Sequence, residues 1–248
     1  MFQEPAKKIA ASMFSYSGDE LGALAGAKNY HRWILSYFAP YVGRKVVEVG
    51  AGIGTFSQLL LDFTKVSELT AMEPADNLFP VLEQRFANER RVKAVKGHLE
   101  DFVGSFAVDS LVLVNVIEHI ADDGEFLRQA HHVLSPEGTI LMFTPAVPAI
   151  YGTLDRRFEH HRRYTKAGLA EKLRQAGLRP VCLRYFNLPG VVAWFLAGSV
   201  LRRETIRSLE VRFYDRWIVP CESWLERKWE PPLGQSLLAV ARKSGAQA

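Results

Sequence analysis

Apolar and polar positions along the chain switch repeatedly between a helical period and short β-branched runs. Tyr30, Trp33, Ile34, Tyr37 and Phe38 recur at three- and four-residue spacing, which predicts one apolar stripe of a helix. Pro40 and Gly43 then interrupt the pattern. KVVEVGAGIG predicts a strand running into glycines, and FSQLLLDF the start of a helix. SELTAMEP follows as a second strand, LFPVLEQRFANE as a helix and RVKAVKGHLEDF as a third strand and turn. VDSLVLVNVIEHI is almost wholly apolar, as expected of a central strand covered on both faces. ADDGEFLRQAHHVLSPEG predicts a helix whose pattern ends at Pro136 and Gly138. TILMFTP is a fifth strand, LAEKLRQAGL a helix closed by Gly177, RPVCLRYFN a sixth strand and SLLAVARK a seventh.

This alternation predicts one doubly wound α/β domain over residues 1–248, with an open seven-stranded sheet and helices on both faces. Residues 1–40 form an N-terminal helical cap. Two stretches depart from the alternation. Pro145 to Thr165 is a loop-like insertion, and 187–234 is a helical insertion before the last strand, far longer than a hairpin requires. Both follow strands whose carboxyl ends border the ligand crevice in such sheets.

The glycine turn is the first candidate for chemistry. Glu48-Val49-Gly50-Ala51-Gly52-Ile53-Gly54 follows a strand, so its backbone can approach a ligand closely and the next helix presents free N–H groups. The third glycine comes one residue too early for a nicotinamide fingerprint, which weakens that reading, and no Gly-Lys-Ser/Thr follows, which excludes a P-loop. Glu73, ending the second strand, can accept both hydroxyls of a ribose. Glu100 can take an adenine amino group while the Leu99 backbone reads the ring, and Glu48 can hold an ammonium. Acids placed for a ribose and an ammonium suit a cationic amino-acid nucleoside better than a pyrophosphate.

In this order and spacing the motifs resemble those of class I S-adenosylmethionine-dependent methyltransferases. EVGAGIG is similar to the family's first motif, AMEP to the second, GHLEDF to the adenine loop, and VNVIEHI with FLRQAHHVLSPEGTI to the fourth and fifth. The resemblance implies a Rossmann-like seven-stranded sheet, S-adenosylmethionine as cofactor and methyl transfer as the activity. It places Gly50, Gly52 and Gly54 around the methionine part, Glu48 on its ammonium, Glu73 and Pro74 at the ribose, and Leu99 and Glu100 beside adenine. Asn115 and Val116 would lie beside the sulfonium, with Tyr30 and Trp33 folded over the cofactor or simply packing the helix on the sheet. His98 departs from the Asp that relatives usually carry. The likeness is to bacterial small-molecule enzymes of quinone- or glycolipid-modifying type. The resemblance fixes cofactor and reaction rather than acceptor; the expected acceptor is an oxygen of a hydrophobic or lipid-linked molecule, methylated by in-line transfer, with N- or C-methylation of a soluble intermediate as the alternative.

An acceptor hydroxyl must lose a proton, which invites a histidine or tyrosine. His119 follows the fourth strand, and His160, His161 and Tyr164 lie in the charged run Asp155–Tyr164. Arg163 is a candidate to bind the acceptor, unless the run is a solvated loop capping the next helix through Thr165. No metal is expected, because Asp122 and Asp123 suit the start of a helix better than an ion. Trp194 and Phe195 begin an aromatic tract continued by Ile206, Leu209, Phe213, Trp217, Trp224 and Trp229, with arginines between. The tract suits a lid, a homodimer face, or a peripheral membrane surface gripping a lipid-like acceptor.

Charge and composition narrow the rest. Thirty-one basic against 27 acidic residues give +4 and a pI near 9.1. That balance carries no strong footprint for nucleic acid. The sequence Asn115-Val116-Ile117-Glu118 lacks the Asn/Asp-Pro-Pro-aromatic pattern of base methyltransferases. No persuasive Tyr-x-x-x-Lys pair supports a nicotinamide oxidoreductase. Cys182 and Cys221 form neither a disulfide framework nor a zinc motif. The opening segment has no signal-peptide core, and Tyr185–Leu201, broken by Pro189, is short for a membrane span, so a cytoplasmic protein is expected.

Overall fold

The computed structural model describes residues 26–102, 107–203, 205 and 207–244, so the expectations for the first 25 residues and for Ile206 lie outside it. Among the described residues the chain forms β1 (Lys45–Val49), β2 (Glu68–Glu73), β3 (Val92–Lys96), β4 (Val108–Val114), β5 (Leu134–Pro145), β6 (Leu178–Phe186) and β7 (Ser236–Lys243). They make a single seven-stranded sheet in the order β3-β2-β1-β4-β5-β7-β6. All pairings are parallel except those of β7, which runs antiparallel to both β5 and β6. The helices are α1 (Lys28–Phe38), α2 (Thr55–Phe63), α3 (Phe79–Phe86), α4 (Asp123–Val133), α5 (Thr153–Arg157) and α6 (Lys166–Gln175). The insertion adds α7 (Leu188–Phe195), α8 (Ser208–Phe213) and α9 (Val219–Glu226).

The central strands are apolar on both faces because helices cover both. Val46, Val112, Leu141 and Leu238 face one core, while Val47, Leu111, Leu113 and Met142 face the other. The strand order reverses between β1 and β4. Their carboxyl ends therefore part around a crevice, the place where ligands bind in open α/β sheets. On one side α1 buries Trp33, Ile34 and Phe38, with Trp33 stacked 3.7 Å from the ring of Phe186 at the end of β6. Each such side chain contributes about 1.5–3 kcal/mol of transfer free energy.

The helix whose pattern is expected to end at Pro136 and Gly138 stops a few residues earlier, at Val133. Leu134 already pairs with Val108, and Thr139 pairs with Ser110, so four residues of β5 loop out against one of β4. Glu137 takes a left-handed φ of +61° within that excursion. A long-range strand partner, invisible to local periodicity, outweighs helix propensity here.

The insertion is tied to the N-terminal helix. Asp215 lies in the wide helical turn between α8 and α9. Its carboxylate oxygens accept the free backbone N–H groups of Asn29 (3.2 Å) and Tyr30 (2.8 Å) in the first turn of α1. A carboxylate there satisfies orphan donors and complements the helix dipole. Glu226 of α9 accepts the amides of Asn187 (3.3 Å) and Leu188 (3.1 Å), fixing the other end of the insertion to the end of β6. Together these bonds roof the crevice. No helix among the described residues is long and apolar enough to cross a membrane.

Candidate functional site

The roofed crevice encloses a cavity of ≈ 1090 Å³. Its floor is the turn after β1. Gly50, Gly52 and Gly54 all have left-handed φ (+69°, +56° and +79°). A Cβ on Gly50 would sit 2.6 Å from Cγ2 of Val116, so the turn after β1 and the one after β4 touch only because glycine is there.

Two carboxylates flank this turn. Glu73 Oε2 accepts the Gly52 amide at 2.7 Å and Oε1 accepts the Ala75 amide at 2.9 Å, so the acid at the end of β2 also holds the glycine turn in place. Burial pushes its carboxyl up, against these two bonds. Glu48 accepts the Ser57 hydroxyl at 2.5 Å, and burial raises its carboxyl to about 8, the neighbouring Glu73 adding to the rise. Pro74, His98, Leu99, Glu100, Asn115 and Val116 continue the wall. The bonds that Glu48 and Glu73 accept come from a hydroxyl and from backbone amides. A ligand carrying positive charge and a diol would complete both, whereas a pyrophosphate would add negative charge to two buried acids.

The opposite wall carries the imidazoles. His119 follows β4, and its ring lies 4.9 Å, edge to face, from that of His160. Burial lowers His119 to about 4, with the two neighbouring imidazoles pushing the same way, so it is neutral at physiological pH. His160 Nδ1 is 3.0 Å from Asp155 Oδ1. Asp155, fully buried, also accepts from Arg163 Nε (2.7 Å), Trp194 Nε1 (3.0 Å) and the Gly152 amide (3.0 Å). Burial pushes its carboxyl up, but these bonds and the Arg163 charge outweigh it and hold the group below the usual range. Glu118, next to His119, is wholly buried with Oε2 on the Thr144 hydroxyl, and burial raises it to about 7. Glu118, His119 and His160 each present a donor atom within 4.8 Å of the others, the one grouping of its kind among the described residues.

Of the candidates read from the sequence, Tyr30, Glu48, Gly50, Gly52, Glu73, Pro74, Leu99, Glu100, Asn115, Val116, His119, His160, His161 and Trp194 line the cavity. Gly54 shapes the turn from beneath, where it caps α2. Four candidates are corrected. The Tyr164 hydroxyl donates to Asp123 Oδ2 at 2.7 Å inside the core, on the far side of the loop, so it faces no acceptor. Arg163 is buried against Asp155 and the Ala146 carbonyl, a structural ion pair rather than an acceptor clamp. Trp33 packs on Phe186 behind the wall, and Phe195 points outward. The charged run is solvated only in part: Arg156, Arg157, Glu159 and His161 are exposed and Thr165 caps α6 by accepting the Gly168 amide at 3.0 Å, whereas the side chains of Asp155 and Arg163 have 0% exposure.

Several wall residues carry no local sequence signal. His31 in α1 presents its ring to the cavity with Nδ1 buried and without a partner, and burial lowers it to about 4. Asn187, left-handed at φ +67°, accepts from the Tyr214 hydroxyl at 2.7 Å and donates to the Tyr30 hydroxyl at 3.2 Å, linking roof to cap. The insertion itself has two faces. Val211, Tyr214, Asp215 and Val219 look inward, whereas Leu209, Phe213, Trp217 and Trp224 are 77%, 62%, 59% and 60% exposed.

Residues 47–140 match a family described as a methyltransferase domain. The chain is 28% identical over 155 residues to a ubiquinone biosynthesis O-methyltransferase of Xanthomonas axonopodis pv. citri. The match covers 55% of this chain and 63% of that one, so the chain spans less than two thirds of its relative. Among solved structures it is similar to a putative sarcosine dimethylglycine methyltransferase from Galdieria sulphuraria (TM-score 0.61, 16% identity, 88% and 86% of the two chains). It is also similar to a SAM-dependent methyltransferase from Archaeoglobus fulgidus (TM-score 0.59, 18% identity, 90% and 97%).

Proposed function

As a class I S-adenosylmethionine-dependent methyltransferase related to bacterial small-molecule O-methyltransferases, the chain takes S-adenosylmethionine as cofactor, and we propose that it methylates an oxygen of a hydrophobic or lipid-linked small molecule. The observation that carries this reading is the shared cavity. Buried Glu48 and Glu73 flank a left-handed glycine turn on one side, and His119 and His160 stand on the other. When bound, the cofactor supplies a methyl group on a sulfonium, which passes to the acceptor by in-line displacement.

The chain's own part is to bind, orient and keep water out. Glu48 would hold the ammonium and Glu73 the ribose hydroxyls, with Leu99 and Glu100 beside adenine and Asn115 and Val116 along the methionine part. Tyr30 and His31 close the cavity from α1. His119, neutral through burial, and His160, fixed by Asp155, are the groups placed to draw off the acceptor's proton. Oxygen as the target is supported by the naming of the Xanthomonas relative.

The acceptor class rests on the insertion, whose inner face lines the cavity and whose outer face is apolar and basic. Arg202, Arg207, Arg212, Arg216, Arg227 and Lys228 are exposed. The exposed acids Glu210 and Glu230 are already paired, with Arg203 and Lys166 respectively. This balance fits an anionic bilayer as the occupant of that face, with the acceptor drawn from it. The test is incubation with labelled S-adenosylmethionine and a bacterial lipid extract. A methyl ether in the organic phase is expected. Label confined to water-soluble amines, proteins or nucleic acid would overturn the acceptor class.

A further inference from the structure

The chain enters the insertion at Asn187 and Leu188, and an acid from the insertion's last helix holds that point. Glu226 of α9 accepts their two amides, one on each carboxylate oxygen, and Glu222 lies one turn earlier on the same helix. Both residues are buried (2% and 6% exposed), and their carboxyls are in hydrogen-bonding contact. Two ionised carboxylates have only acceptors to offer each other, so that contact requires a proton on one of them. The Tyr214 hydroxyl leads to the same count. Its single proton faces Asn187 Oδ1 at 2.7 Å and Glu222 Oε2 at 3.2 Å, while Glu222 Oε1 meets no donor. With the Tyr214 proton in the shorter bond, Glu222 needs a proton of its own. The surrounding charges agree. Arg184 of β6 acts on the pair, with Nη2 on the Glu226 main-chain carbonyl at 2.7 Å, Nε without a partner and the guanidinium 4.4 Å over the Tyr37 ring. Tyr30 and Tyr37 of α1 and Tyr214 stay neutral, burial pushing their hydroxyls up. Asp215 is taken up by the amides of α1, and Arg227, next along the chain, is exposed. One buried cation balances one carboxylate, and the second acid keeps its proton.

We propose that Glu222 and Glu226 are a proton-operated clasp at the base of the roof: sharing one proton, they hold the entry of the insertion against its last helix, and loss of that proton to water releases the roof. Tyr30, Asn187 and Tyr214, which the clasp ties together, line the cavity, so opening it exposes what the cavity holds. The sign follows from which form keeps the proton. In the open form Glu222 is hydrated and has its ordinary value of 4.5, whereas in the closed form burial, and then the charge of Glu226, push it up. Closure is therefore strongest below 4.5 and is lost as pH rises through the raised value. While the closed form prevails, the clasp sets how fast ligands exchange and leaves affinity to the floor of the cavity. It operates whatever the cavity binds.

The test is native-state hydrogen exchange of the ligand-free full chain, read at the Asn187 and Leu188 amides and divided by the rate of an unprotected amide at each pH, which gives the opening constant of the clasp. Between about pH 5.5 and 7 that constant should rise about tenfold per pH unit in the wild type, one proton being released on opening. Glu222→Gln keeps the shape and cannot ionise, so the rise should disappear. Should that variant not fold by circular dichroism, Glu222→Met, apolar and of similar length, replaces it. Glu48→Gln, on the cavity floor, should keep the rise, which separates the clasp from the other buried acid. Glu226→Gln sets an amide NH₂ against one of the two backbone donors and should raise opening at least tenfold at the acid end of the window. An opening constant that is flat in the wild type, equally steep in the Glu222 variant, or unmoved by Glu226→Gln overturns the clasp.

Discussion

Cofactor binding should release a proton, and Glu48 is the group that releases it. Burial raises its carboxyl from the ordinary 4.5 to about 8 in the ligand-free cavity. With that value, about nine-tenths of the molecules carry the proton at neutral pH. A cation placed against the carboxyl favours its ionised form, so binding near pH 7 should expel close to one proton. Affinity then rises roughly tenfold per pH unit while pH stays well below 8, because ∂log K/∂pH equals the number of protons released. The usable window is about pH 5.5 to 7, since an α-amino group on the ligand titrates near 7.7–8.0 and reverses the trend above.

Isothermal titration in buffers of different ionisation enthalpy reads the proton count directly. Glu48→Gln keeps the shape and the Ser57 contact, so it should bind more weakly and with a flat pH profile. A pH-independent wild-type affinity across the window, or a Gln variant that still releases a proton, would refute the reasoning. The same group predicts stability. A carboxyl whose folded pKa lies above its unfolded one contributes stability that is full below about 4.5 and is lost as pH rises through about 8. Glu48→Gln should flatten that part of the thermal-unfolding profile.

Gly50→Ala meets both a left-handed φ and Val116 at 2.6 Å, so it should displace the turn and reduce S-adenosylmethionine affinity by at least tenfold in titration, with the fold retained by circular dichroism. Asp155→Asn leaves Arg163 buried without its counter-charge and should cost about 3 kcal/mol, a fall in Tm of roughly 6–12 °C; an unchanged Tm would mean that the pair adds nothing. Asp215→Ala removes the acceptor from two amides of α1 and should cost about 1–2 kcal/mol in denaturant unfolding. In vesicle co-sedimentation the chain should bind anionic but not neutral vesicles, and Phe213→Glu with Trp217→Glu should abolish that binding; equal sedimentation of both proteins would remove the bilayer from the account.

The strands and the glycine turn were legible because each signal is local. A β-branched run ending in Gly50, Gly52 and Gly54 needs nothing distant to be read, and the acid closing β2 falls at a fixed offset. The roles inside Asp155–Tyr164 were not legible. Position after β5 brings the run to the cavity edge, but backbone direction decides which side chains enter it. His160 and His161 do, whereas Arg163 and Tyr164 turn into the core to meet Asp155 and Asp123. Asp155 gave no sign of being a hub, because a charge is buried only where tertiary partners from Gly152 to Trp194 converge on it. The cap that Asp215 places on α1 spans 186 residues, beyond the reach of any window. The Leu134–Gly138 excursion was misread for the same reason.

A crystal structure of the chain with S-adenosylhomocysteine addresses the central claim most directly. The account predicts ribose hydroxyls on Glu73, the ammonium at Glu48, the methionine part over Gly50 and Gly52, and the sulfur facing His119 and His160 across the cavity. A nucleoside seated on another acid, or a sulfur turned away from both imidazoles, would contradict it.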